Sequence, residues 1–72
     1  MARIYLLFHS THETLKAESV LKAAQQTCKV VMKPTGIRSD CGLAVRVEEA
    51  ARDSSLAALK QAGVEPRSVH VL

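Results

Sequence analysis

Tryptophan is absent from this chain, and the other large aromatics occur once each, as Tyr5 and Phe8. Proteins that hold single-stranded nucleic acid stack bases on aromatic side chains and gather Lys and Arg into a patch or stripe. Here 10 basic residues are scattered among 7 acidic ones, for a formal charge of +3. Nucleic acid is therefore not an expected partner. Nor is a membrane, because no apolar run approaches the ~20 residues that a spanning helix needs. The opening MARIYLLF has neither the long apolar stretch nor the small-residue cleavage site of an export signal. A cytoplasmic location is expected, where thiols stay reduced. Cysteine occurs only twice, as Cys28 and Cys41, too few to complete a tetrahedral zinc site unaided. No repeat, linker or low-complexity tract interrupts the sequence.

What the chain does have is an even supply of apolar side chains: 47% hydrophobic and 24% charged residues, the balance of a globular protein. With 72 residues there is room for one domain, residues 1–72. A core of that size is marginal, and self-association would help it.

Hydrophobic periodicity divides the chain into six elements. RIYLLF, residues 3–8, alternates as a strand with Ile4, Leu6 and Phe8 on one face. Residues 11–26 read as a helix. Ser10 stands at its cap, Glu13 at the capping-box spacing, and Thr14, Ala17, Val20, Leu21 and Ala24 form the apolar stripe. CKVVMK, residues 28–33, is a second strand that Pro34 should end. After the polar loop PTGIRSDC, residues 42–47 form a third strand with Leu43, Val45 and Val47 on one face. Residues 50–62 form a second helix with Leu56, Leu59 and Ala62 inward, and Gly63 suits a left-handed C-cap with Val64 as its apolar contact. RSVHV, residues 67–71, is a fourth strand.

The order β-α-β-β-α-β predicts an α+β fold of the ferredoxin-like, split-βαβ kind. Its four-stranded antiparallel sheet has the order 4-1-3-2, and both helices lie on one face because the crossovers are right-handed. In that topology the end of the first strand and the start of the third are neighbours at one sheet edge. FHSTH, residues 8–12, then lies beside the loop that carries Cys41, where the first helix begins.

That placement gives Cys41 two readings. It is a reactive thiol if helix-start N–H groups favour a thiolate, with Arg38, His9 or His12 adding positive charge. The neighbouring Asp40 opposes this, and Gly42 opens the backbone to a substrate. It is a small buried hydrophobe otherwise. His9 and His12 with Cys41 number three ligands at most, and no metal or cofactor is assigned. Cys28 falls at the opposite edge, a strand length of about 17–20 Å away, so no internal disulfide is expected. Cys28 reads as a core residue.

FHSTH before a capped helix, and PTGIRSDCGLAVR before a strand, also carry a resemblance. Over nearly its whole length the chain resembles a family of small bacterial selenium/sulfur carrier-like proteins. The family's loop commonly reads PTPR followed by small polar residues and the cysteine, whereas Gly36 and Ile37 stand here between the threonine and Arg38. The resemblance implies a carrier thiol at Cys41 that holds sulfur or selenium as a persulfide or perselenide. His9, Ser10, Thr11 and His12 would stand on one side of it, with Arg38, Ser39 and Gly42 flanking it. The implied partners are donor and acceptor proteins, and the chain reads as a carrier more than an autonomous enzyme. The alternative is a regulatory module that binds a small ligand or partner without covalent chemistry.

The remaining basic residues, Lys29, Lys33, Arg46 and Arg67, read as solvated surface. Tyr5, Leu7 and Val31 fall on the sheet face away from the helices, with Arg46 and His70. If that face is open, it offers a partly polar homodimer interface.

Overall fold

The computed structural model of the chain describes residues 2–38 and 42–72. The elements follow the expected order: β1 (Arg3–Leu7), α1 (Thr11–Ala23), β2 (Cys28–Met32), β3 (Leu43–Glu48), a 3-10 turn (Glu49–Ala51), α2 (Arg52–Gln61) and β4 (Ser68–Val71). The four strands form one antiparallel sheet in the order β2-β3-β1-β4, which is the expected order read from the other edge.

Strand alternation sorts the sheet into two faces. Ile4 pairs with Val47 and Val71, and Leu6 with Val45 and Val69. Ile4, Leu6, Val45 and Val47 meet the helices in a core completed by Phe8, Ala17, Leu21, Leu59 and Val64. Both helices contribute to that cluster, so both cover the same sheet face. Val69 and Val71, on the outer strand β4, stay exposed.

The other face is less open than alternation alone suggests. Leu7 and Ala44 lie on it and are nevertheless fully buried. Tyr5 and Val31 are half-buried. The expected apolar patch is therefore corrected at Leu7, which offers no free surface to a second molecule.

The helix starts and ends show the local physics. Ser10 adopts an extended backbone and its Oγ accepts the N–H of Glu13 at 3.1 Å. The Ser10 carbonyl accepts the Thr14 N–H at 3.0 Å and the Thr14 Oγ1 hydroxyl at 2.9 Å. Among the described residues no hydrogen bond returns from the Glu13 carboxylate, so half of the expected capping box is made.

Both helices end in Schellman motifs. In α2 the Val64 N–H donates to Leu59 and the Gly63 N–H to Lys60, with Gly63 at φ +74° and Val64 buried against the core. In α1 the Gln26 N–H donates to Leu21 and the Gln25 N–H to Lys22. Here the left-handed residue is Gln25, at φ 61°. That turn ends α1 before the expected residue 26, and it leaves Ala24 exposed. Ala62, at the matching cap of α2, is exposed as well, contrary to its expected inward position. Buried Ser55 stands one turn before Leu59 on the inner face instead.

Candidate functional site

The register sets which loops share an edge. With Leu6 opposite Val45, the chain leaving β1 and the chain entering β3 stand side by side. The Lys33 N–H donates to the Gly42 carbonyl at 2.9 Å, which closes the β2–β3 connection at the same edge. The Arg67 N–H donates to the Leu7 carbonyl at 2.6 Å and brings the approach to β4 there too.

His9 and Ser10 thus form the β1–α1 turn, and Thr11 and His12 open α1, beside the β2–β3 connection. His9, Thr11 and His12 are exposed and Ser10 is half-buried. Neither imidazole makes a hydrogen bond or ion pair among the described residues. The first-turn N–H groups of α1 face this edge, where a helix start favours an anion. Arg38, in the connection, is exposed. Cys41, Ser39 and Asp40 lie outside the described residues.

Gly42 is exposed, and a Cβ built on it would meet nothing within 4 Å. Packing therefore does not require glycine there. Gly36 differs: its φ of +93° belongs to the turn in which the Ile37 N–H donates to Pro34 at 3.3 Å. Glycine at the third turn position is what a type II turn asks for. The residues by which this loop departs from the commoner PTPR pattern thus form a defined turn.

Cys28 stands at the opposite end of the sheet, paired with Val47 and packed against the core. Burial pushes its thiol above the ordinary cysteine value. Glu18 adds to that push, and Lys22 partly offsets it. Glu18 and Lys22 are themselves paired at 3.4 Å along α1. A half-buried thiol held protonated is a poor nucleophile at neutral pH.

Among the described residues no group of three His, Cys, Asp or Glu side chains is placed to hold a metal ion. An apolar hollow lined by Ala2, Glu48, Glu49 and Ala50 opens at the far edge, where β1 starts and β3 ends. It is remote from His9 and His12. No described helix is long and apolar enough to cross a membrane.

Sequence reading missed one juxtaposition. Tyr5, Arg46 and His70 were expected on one face, but not that Lys29 joins them: Lys29 is opposite Arg46, Arg46 opposite Tyr5, and Tyr5 opposite His70, so the four form a single row. The signal was available only jointly, from side-chain alternation in four strands and their order.

Compared with known families, residues 3–71 match the profile described as "Putative Se/S carrier protein-like". A comparison with curated proteins found no match.

Proposed function

The chain belongs to that Se/S carrier protein-like family, and from this premise we propose that it carries a sulfur or selenium atom on Cys41. The observation that carries the reading is the family match over 3–71. Two features support it. The helix start and two imidazoles lie at the edge where the β2–β3 connection closes. The other cysteine, Cys28, is held protonated at the opposite edge.

The reaction is an exchange without net oxidation. The Cys41 thiolate attacks the outer, sulfane sulfur of a persulfide on a donor protein. A new S–S bond forms and the donor's S–S bond breaks. The electron pair leaves on the donor thiolate, which takes up a proton. An acceptor nucleophile repeats the exchange and returns Cys41 as thiolate. A perselenide donor reacts in the same way, with an S–Se bond formed. Arg38, His9 and His12 favour the thiolate, Ser10 and Thr11 shape the facing turn, and the exposed Gly42 leaves the approach open.

Intact mass after incubation with a small-molecule persulfide tests the proposal. The reduced protein and Cys28→Ser should each gain the mass of one sulfur atom, released by a reducing agent. Cys41→Ser should gain none. A wild-type protein that stays unmodified, or a Cys41→Ser variant that is modified equally, refutes the carrier reading.

A further inference from the structure

The sheet face away from the helices carries the row Lys29, Arg46, Tyr5 and His70, one residue from each strand. Neighbouring strands are about 4.8 Å apart, so the row spans about 14 Å. Lys29 is exposed, and Arg46, Tyr5 and His70 are half-buried. His70 Nε2 lies 2.9 Å from Ser68 Oγ. Among the described residues neither Lys29 nor Arg46 makes a hydrogen bond or ion pair with its side chain. The Arg46 guanidinium offers five donors, and none is used among the described residues. Two like charges stand directly opposite each other, an arrangement that opposes pairing of β2 with β3 unless an anion lies over it. The strands place one carboxylate on this face, Glu48, and it is opposite Arg3 at the end of the register.

We propose that this face docks an acidic segment of a partner protein, with carboxylates over Arg46 and Lys29 and an apolar or planar group against Tyr5. Three features select that occupant. The described hollow, lined by Ala2, Glu48, Glu49 and Ala50, does not include this row, whereas small ligands favour concave sites. Tyr5 is the one large aromatic on it, too little for the successive base stacking of single-stranded nucleic acid. A second copy would bring three further cations, Arg3, Lys29 and Arg46, and one carboxylate, Glu48, to a face that already carries excess positive charge. Glutamates four residues apart on a helix have Cβ atoms about 5–6 Å apart, close to the spacing of the strands that carry Arg46 and Lys29. The inference does not rest on chemistry at Cys41.

The chain supplies its own probe. Tyr5 is the sole tyrosine and there is no tryptophan, so intrinsic emission reports on this row alone. The test titrates the full chain with a synthetic alanine-rich helical peptide carrying glutamates four residues apart. An uncharged glutamine version, oligothymidylate and inorganic phosphate serve as comparisons. The expected result is a salt-sensitive change in Tyr5 emission with the glutamate peptide, weakened about tenfold by Arg46→Gln. Arg52→Gln, on α2, removes the same net charge and should leave binding unchanged. Arg46→Gln should keep or raise thermal stability without peptide, since it relieves the charge opposition. Cys41→Ser should bind as wild type, which separates this result from the carrier test.

Equal weakening by Arg46→Gln and Arg52→Gln overturns the proposal. So does no response to the glutamate peptide, tighter binding of oligothymidylate or phosphate, or concentration-dependent dimerisation through Tyr5 and Arg46.

Discussion

Gln25→Gly should stabilise this protein, and the two helix ends together set the size of the effect. Both α1 and α2 finish in the same hydrogen-bonded motif, yet α2 places Gly63 at the left-handed position and α1 places Gln25 there. An L-residue with that backbone brings its Cβ too close to a carbonyl oxygen, at a cost of roughly 1–2 kcal/mol. Glycine escapes this but loses about 0.5–1 kcal/mol through the extra freedom of its unfolded chain. The difference is a net gain of roughly 0–1.5 kcal/mol. The Gln25 side chain is exposed and makes no hydrogen bond among the described residues, so nothing else is lost. For a chain of this length, 1 kcal/mol corresponds to a rise in Tm of about 4–8 °C. Urea titration should move the midpoint upward with an unchanged slope. Gly63→Ala is the mirror experiment. Its new Cβ would meet nothing within 4 Å, so the loss of about 1 kcal/mol would be purely conformational. A Gln25→Gly variant with a lower midpoint would refute the reasoning, because the Gln25 side chain makes no hydrogen bond among the described residues whose loss could account for it.

Two further variants bear on buried groups. Ser55 is fully buried and its hydroxyl has no hydrogen-bond partner among the described residues. Ser55→Ala should therefore stabilise by about 1 kcal/mol, from release of the unpaired hydroxyl and better helix propensity, and a loss of stability in thermal unfolding would show that the oxygen is satisfied. For Cys28, the folded thiol holds its proton more tightly than the unfolded one. Its contribution is thus complete below the ordinary thiol range and declines as pH rises through the raised value. Cys28→Ala should flatten that alkaline decline in a pH series of melts, and an unchanged slope would contradict the assignment.

The sequence made the element order and the sheet order legible because each boundary has its own chemistry. Ser10 before a helical stripe, Pro34 after a strand and Gly63 followed by Val64 all act within a few residues, and each works as its chemistry suggests. The end of α1 was not legible, because glutamine carries no signal for a left-handed backbone. The motif exists through the bonds of Gln25 and Gln26, not through residue type. Ala24 and Ala62 failed for a related reason: at a cap the chain swings away, and a residue in phase with the stripe no longer faces the core. Ser55 was overlooked because serine reads as polar, although its spacing to Leu59 places it inward. The closure over Leu7 and Ala44 is tertiary and beyond any single-strand pattern. At the candidate site, adjacency of the β1–α1 turn and the β2–β3 connection followed from strand order alone.

That adjacency restricts what thiol chemistry this fold can support. Only two cysteines exist in the chain. Cys28 opens β2 opposite Val47, at the end of the sheet where α1 finishes. Five strand residues, about 17 Å, separate that end from the edge where His9 and the helix start stand. Cys28 cannot draw on those groups, and burial and Glu18 both act against its thiolate. Chemistry that needs a helix start and an imidazole must therefore come from the connection between β2 and β3. Double labelling of the two cysteines with a thiolate-selective reagent at neutral pH makes this concrete. Label should accumulate at Cys41 well before Cys28. Equal rates, or a faster Cys28, would mean that the edge where α1 begins confers no advantage, and the division of labour between the two thiols would fall with it.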